Sequence, residues 1–114
     1  MPESDEIDDK TRIRELNDSF RRTGQGGGIV ITAGIHDLSA VDQAAVFQKI
    51  RLFDAFTKAN DPHEEHDFGA IEHNGEKFFF KIDYYDKNLE NHSENPADPT
   101  KTTRVITVML ACEY

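Results

Sequence analysis

Residues 67–85 read DFGAIEHNGEKFFFKIDYY and contain the clearest fold signal in the chain. The pair Asn74-Gly75 separates two runs rich in aromatic and β-branched residues. A type I′ turn prefers this pair because both of its central positions need a positive φ. We therefore predict a β-hairpin made of strands 67–73 and 77–85.

The hairpin register assigns the side chains to two faces, because successive residues of a strand point to opposite sides. It pairs Gly69 with Phe80 and sets His66 opposite Asp83. We expect one face to belong to the core, with Gly69, Ile71, Phe78, Phe80, Ile82 and Tyr84. The other face is mixed and carries His66, Phe68, Ala70, Phe79, Lys81, Asp83 and Tyr85.

The flanking segments supply two helices and two further strands. Helical spacing of Ile7, Ile13, Leu16 and Phe20 predicts a helix over residues 6–22. A second helix over 39–51 begins at the cap Ser39, turns Val41, Ala44, Ala45 and Ile50 to one side, and ends near Phe53. Strands are predicted at 29–33 and 103–111, and a short strand near 52–56 is left open. The fold class is α+β, with two helices packed on a mainly antiparallel sheet of four to five strands around the central Asn-Gly hairpin.

Two glycine-rich or polar segments connect these elements. The glycines of residues 24–28 follow a helix and precede a strand, which is the reverse of the order in phosphate-binding loops. Residues 86–102 form a long polar loop with Leu89 and Ala97 as its apolar anchors. We expect one domain over residues 1–114, with residues 1–5 disordered.

The chain is acidic, with 13 basic and 22 acidic residues among 114 and a net charge of −9. Residues 61–114 hold most of the excess, with twelve acidic residues against five basic ones. Direct binding to nucleic acid or to an anionic membrane is disfavoured because both need Lys and Arg. A protein partner with a basic surface is favoured instead. The acidic N-terminus and the lack of a long apolar run predict a cytoplasmic protein.

Four segments together resemble a known family. They are residues 60–62, 65–69, 81–86 and 103–111, which read NDP, EHDFG, KIDYYD and TRVITVMLA. The chain resembles a small, uncharacterised bacterial domain-of-unknown-function family, family 3768, from about the glycine loop to the C-terminus. The resemblance implies a setting on plasmids and other mobile elements, similar to that of anti-defence proteins. It implies no activity, substrate or catalytic residue.

The first candidate site is the pair His66 and Asp83, because a carboxylate beside an imidazole raises its pKa and fixes its tautomer. Lys81 or Arg104 would hold an anionic intermediate in a small hydrolase-like enzyme of this kind. No nucleophile accompanies the pair, since Cys112 is expected at the end of a buried strand. A cross-strand polar pair that fixes the register explains the same residues without catalysis.

The second candidate is a metal site in the segment 63–67, which contains two histidines and three carboxylates. His36, His73 or His92 is considered as a more distant ligand. His63 and His66 are three residues apart and follow Pro62, so they do not form the helical metalloprotease motif. A solvated acidic loop explains them equally well. We expect no metal and no cofactor.

The third candidate is a binding surface on the mixed face of the hairpin. The aromatic rings on this face are Phe68, Phe79 and Tyr85. We expect them to be covered by the second helix of the chain, by a second subunit or by a target protein. We interpret the chain as a small acidic protein-binding module without catalytic activity. A more specific form of this hypothesis is an anti-defence inhibitor of the anti-restriction or anti-CRISPR type. Whether the chain forms a homodimer is left open. The predicted binding residues are Glu64, Glu65, His66, Asp67, Phe68, Asp83, Tyr85, Asp86, Glu90, Glu94 and Asp98.

Overall fold

A computed structural model describes residues 8–114. Its elements are α1 Asp9–Thr23, β1 Gly27–Ile31, α2 Ala33–His36, α3 Ala40–Arg51, β2 Phe68–His73, β3 Glu76–Tyr85, β4 Thr103–Leu110 and a 3₁₀ turn Ala111–Glu113. The strands form one sheet in the order β1-β4-β3-β2. β1 is parallel to β4, whereas the other two pairings are antiparallel. The predicted α+β class with a mainly antiparallel sheet is confirmed.

The hairpin has the predicted turn and register. Asn74 and Gly75 connect β2 to β3 with φ values of 53° and 81°. Ile71 pairs with Phe78, as the sequence predicted. The predicted core face of the hairpin is buried along its whole length.

The helices begin and end at recognisable caps. The Asp8 side chain accepts a hydrogen bond from the Thr11 amide, and Gly24 ends α1 in the left-handed conformation. Ser39 caps α3 as predicted, but α3 ends at Arg51, before Phe53. The predicted start of the first helix at residues 6–7, including Ile7, and the expected disorder of residues 1–5 lie outside the described residues.

The structure decides one open question about the connections and corrects two predictions, the position of β1 and the buried face of α3. Residues 52–56 form no strand, because the chain leaves α3 through a tight turn. β1 lies two residues earlier than predicted, since Thr32 already starts the short helix α2. On α3 the buried side chains are Val46 and Ile50, whereas Val41 is 78% exposed.

Both long helices pack on the same face of the sheet. The buried cluster joins Ile13 and Phe20 of α1 with Val46 and Ile50 of α3 and with Phe80 of the hairpin. Of the three covers considered for the mixed face, the second helix is therefore excluded, because α3 packs on the opposite face. The rings of that face remain without a helix over them among residues 8–114.

The long loop is anchored by polar contacts as well as by apolar ones. Ala97 is buried as predicted, but Leu89 is 58% exposed. The hydroxyls of Ser93 and Thr102 are 2.7 Å apart and buried. Beyond β4, Cys112 is exposed in the 3₁₀ turn and not buried as expected. No helix of residues 8–114 is long and apolar enough to cross a membrane.

Candidate functional site

The sheet surface opposite the helices is the first candidate site, and we call it the open face. Phe68 and Phe79 pack there with ring centroids 5.0 Å apart, and Tyr114 stands edge-on to both at 5.6 Å. The Tyr114 side chain is itself largely exposed. By strand alternation the open face consists of Phe68, Ala70, Phe79, Lys81, Asp83, Tyr85, Thr103, Val105, Thr107 and Met109.

A depression of about 400 Å³ lies at the edge of the open face. Lys81 and Asp83 form an ion pair of 3.1 Å, and both side chains are partly exposed. The lining joins carboxylates, rings and a histidine: Asn60, Pro62, His63, Asp67, Phe68, Lys81, Ile82, Asp83 and Tyr114. The structure thus brings three predicted binding residues, Asp67, Phe68 and Asp83, together.

Asp67 is the carboxylate of this depression with the least favourable surroundings. Its backbone carbonyl accepts the Ile82 amide at 2.8 Å, which extends the hairpin by one residue. Burial raises the pKa of the Asp67 carboxyl, and the negative charges of Glu65 and Asp61 raise it further. No Lys or Arg among residues 8–114 forms an ion pair with Asp67.

The predicted pair of His66 and Asp83 is wrong. The Nδ1 atom of His66 lies 2.9 Å from the Asp18 carboxylate on α1, and the imidazole stacks on Phe56 at 3.8 Å. His66 has a φ of 58° and precedes β2, so strand alternation does not apply to it. Its amide donates to Asp61, which turns this segment toward α1.

The Asp18–His66 contact lines a second depression of about 340 Å³ on the helix side. Burial opposes ionisation of Asp18, but hydrogen bonds from His66 and Arg21 outweigh it and hold the pKa of Asp18 below its ordinary value. The Nε2 atom of His66 lies 3.6 Å from Asp61. Both ring nitrogens therefore face carboxylates, and these contacts hold the segment before β2 against α1.

A buried polar network lies between α1 and the sheet. The Asn17 side chain donates to the Tyr84 hydroxyl at 2.8 Å and accepts from the Nε of Arg104 at 2.6 Å. Tyr84 in turn donates to Glu65 at 2.8 Å. Burial raises the pKa of Tyr84, and its bond to Glu65 adds to that rise, although the bond from Asn17 opposes it. Arg104 is thus an internal structural residue.

Most of the other predicted binding residues already have partners within the chain. Glu64 pairs with Lys10, and Glu94 pairs with Lys101, each at 3.6 Å. The Asp86 carboxylate accepts a hydrogen bond from the Glu90 amide, which lowers its pKa. The Asp98 carboxylate accepts from the Thr100 hydroxyl and amide, which lower its pKa. Tyr85 bridges to His92, and Glu90 is exposed in the same loop.

The histidines considered as metal ligands are dispersed. His73 binds Asp42 at 3.0 Å, and His36 lies beside Asp37. Within residues 8–114 no group of three His, Cys, Asp or Glu side chains has the geometry to hold a metal ion.

Sequence reasoning missed several residues that organise both sites. Asn17 and Arg21 lie on the buried side of α1 together with Ile13 and Phe20. Polar residues at helical positions that are otherwise apolar indicate a buried polar contact, and this signal was present in the sequence. Asp18, Phe56 and Tyr114 had no such signal. Their roles depend on contacts between distant parts of the chain.

The fold and these surfaces define a small α+β protein with both long helices on one sheet face and a partly exposed aromatic open face on the other. The sequence profile of the family described as protein of unknown function DUF3768 matches residues 31–113. The chain belongs to this family, and the resemblance of the four motifs is confirmed. Comparison with curated proteins and with solved structures found no significant match.

Proposed function

We propose that the chain is a non-catalytic protein-binding module that receives a basic segment of a partner protein on its open face. The observation that carries the proposal is the combination of partly exposed rings and carboxylates in one depression. Phe68 and Tyr114 supply apolar contact area, while Asp67 and Asp83 supply negative charge. Interfaces use this combination because aromatic anchors provide affinity and charges provide orientation.

The electrostatics of Asp67 favour a cationic guest. A Lys or Arg side chain beside Asp67 would offset the repulsion from Glu65 and Asp61, so binding would stabilise the ionised carboxylate. Lys81 forms an ion pair with Asp83 and offsets its negative charge. We therefore expect Asp67, which has no such partner among the described residues, to attract a cationic side chain more strongly than Asp83 does.

The carboxylates of the long loop extend this negative field. The loop with these carboxylates follows β3 at the open end of the hairpin, the end at which Asp67 lies. They are Asp86, Glu90, Glu94 and Asp98. A field of this kind raises the association rate of a basic partner and weakens with salt. We include these residues in the proposed surface as steering charges.

The test uses a lysine- and arginine-rich peptide as the probe, with binding measured by calorimetry. We expect Asp67→Asn to weaken binding about tenfold, which is typical for loss of one partly desolvated ion pair. Glu15→Gln is the matched control, because it removes one negative charge from an exposed position on α1. Equal affinity of Asp67→Asn and the control would overturn the assignment of the open face.

The narrower form of the proposal is an inhibitor of a nucleic-acid-binding defence protein. Its support is charge: a surface that normally holds a phosphate backbone is basic and complements residues 61–114. A partner captured from the bacterial host should be released by a short DNA duplex or by added salt. Capture that persists against both competitors would contradict this narrower form and leave the wider one standing.

A further inference from the structure

The two edges of the sheet are unequal. The β2 edge lies against α3, where Lys49 donates to the Glu72 carbonyl at 2.7 Å and Asp42 binds His73 at 3.0 Å. Charged side chains therefore cover that edge, as in many monomeric sheet proteins. The β1 edge has no such protection among the described residues.

The backbone of β1 presents unused hydrogen-bonding groups. Thr32 donates its amide to the Val108 carbonyl, and alternate residues of a parallel strand bond to the same neighbour. Val30 therefore bonds toward β4, whereas Gly27, Ile29 and Ile31 direct their amides and carbonyls away from the sheet. No backbone bond within residues 8–114 reaches these outward groups.

The strand at this edge is itself apolar and uncharged. Ile29 is 52% exposed and Val30 is 48% exposed, on opposite faces of β1. No residue from 24 to 35 is ionisable, although the chain as a whole carries a charge of −9. The charged side chains nearby are Glu113, just beyond the C-terminal end of β1, and Arg51, which lines a small cavity with Ile29. A second copy that pairs with β1 therefore meets a strand with no negative charge of its own, although the chain is acidic as a whole.

We propose that β1 is a homodimer interface, in which the β1 strands of two copies pair antiparallel about a two-fold axis and continue the sheet. A register centred on Ile29 pairs Ile29 with itself and Gly27 with Ile31, so every outward group finds a partner. It also sets Val30 opposite Gly28, where the glycine leaves room for the larger side chain. Because the axis is normal to the sheet, the two open faces lie side by side.

The pairing is expected to be weak, since β1 has five residues and the contact is small. Sedimentation equilibrium over a wide concentration range should show a species of twice the 13.0 kDa chain mass at high concentration. A monomer at every concentration would overturn the proposal.

Ile29→Pro tests the geometry, because proline removes only an outward amide and leaves the β4 hydrogen bonds intact. We expect at least a tenfold loss of association. Ile29→Lys tests the same position by introducing charge. Ala70→Lys is the matched control, since it adds the same charge to an exposed position on the opposite edge strand. Equal association of Ile29→Lys and Ala70→Lys would overturn the assignment.

Hydrogen exchange gives a readout independent of these variants. The amides of Ile29 and Ile31 should exchange more slowly as protein concentration rises, while the Val30 amide is protected at all concentrations. Dimerisation without this change at Ile29 and Ile31 would assign the interface elsewhere.

Discussion

At the residue scale, one side-chain amide holds much of the polar interior together. Asn17 is fully buried and connects α1 to Tyr84 of β3 and to Arg104 of β4. Its second donor contact, to the Glu65 carbonyl at 2.9 Å, fixes the segment before β2. A buried guanidinium needs such acceptors because its desolvation is costly.

Replacement of Asn17 should therefore be severe. We expect Asn17→Ala to lower the free energy of unfolding by about 3 kcal/mol, because Arg104 loses an acceptor in the interior. Urea denaturation measures the change. Asn88→Ala removes the same group from an exposed loop position and should change the free energy by less than about 0.5 kcal/mol. A mild effect of Asn17→Ala would show that water replaces the amide.

Asp18 predicts a dependence of stability on pH. Its pKa is lower in the folded chain than in the unfolded one, so ionised Asp18 stabilises the fold above about pH 4, and this contribution is lost as pH falls through the folded pKa. The stability difference between wild type and Asp18→Asn should consequently shrink below about pH 4. Urea denaturation at several pH values measures it, with Asp54→Asn as an exposed control. A difference in unfolding free energy between wild type and Asp18→Asn that stays constant down to about pH 3 would contradict this role of Asp18.

At the element scale, the close packing of β2 against the helix-side aromatic residues requires a glycine. A Cβ atom at Gly69 would lie 2.4 Å from the Phe80 ring and 2.9 Å from Phe53. Because both rings also pack against each other at 5.5 Å, neither has free space to move into. This contact explains how β2 approaches the core so closely.

We expect Gly69→Ala to destabilise the chain by about 1–3 kcal/mol through overpacking. Thermal or urea denaturation provides the measurement. Gly28→Ala is the matched control, since a Cβ there meets nothing within 4 Å and the residue lies in a strand as well. Equal stability of the two variants would mean that the rings rearrange at little cost.

The elements differ in how well the sequence alone predicts them. Asn74-Gly75 and Ser39 act through local geometry, so the hairpin and the start of α3 follow from neighbouring residues. The pairing of β1 with β4 and the position of His66 depend on contacts across the chain. Asp61 belongs to no helical or strand pattern in the sequence. Its carboxylate accepts the His66 amide in a turn before β2, so His66 does not follow the predicted strand register.

At the scale of the whole molecule, a layer of helices packs on a sheet and leaves the other sheet face without a long helix among residues 8–114. The helices and the sheet enclose the core on one side, while the open face presents rings beside Asp67 and Asp83. The sequence predicted the alternation within the hairpin. It could not predict the open face, because both helices were free to cover either side of the sheet.

The net charge of −9 leads to a prediction about salt. Mutual repulsion of carboxylates opposes the compact state, and ions at about 0.1 M screen charges beyond roughly 10 Å. We expect the thermal unfolding midpoint to rise on addition of NaCl. A variant with Glu90 and Glu94 changed to Gln should show a smaller rise. A midpoint that falls with salt would mean that internal ion pairs outweigh the repulsion.

The parallel pairing of β1 with β4 has a consequence for synthesis on the ribosome. Thr32 and Val108, which bond across this pairing, are separated by 76 positions in the chain. The glycine-rich strand is translated well before its neighbour, so α2, α3, β2 and β3 are all made before this part of the sheet can close. Until then an apolar, uncharged segment is available to chaperones or to strands of other nascent chains.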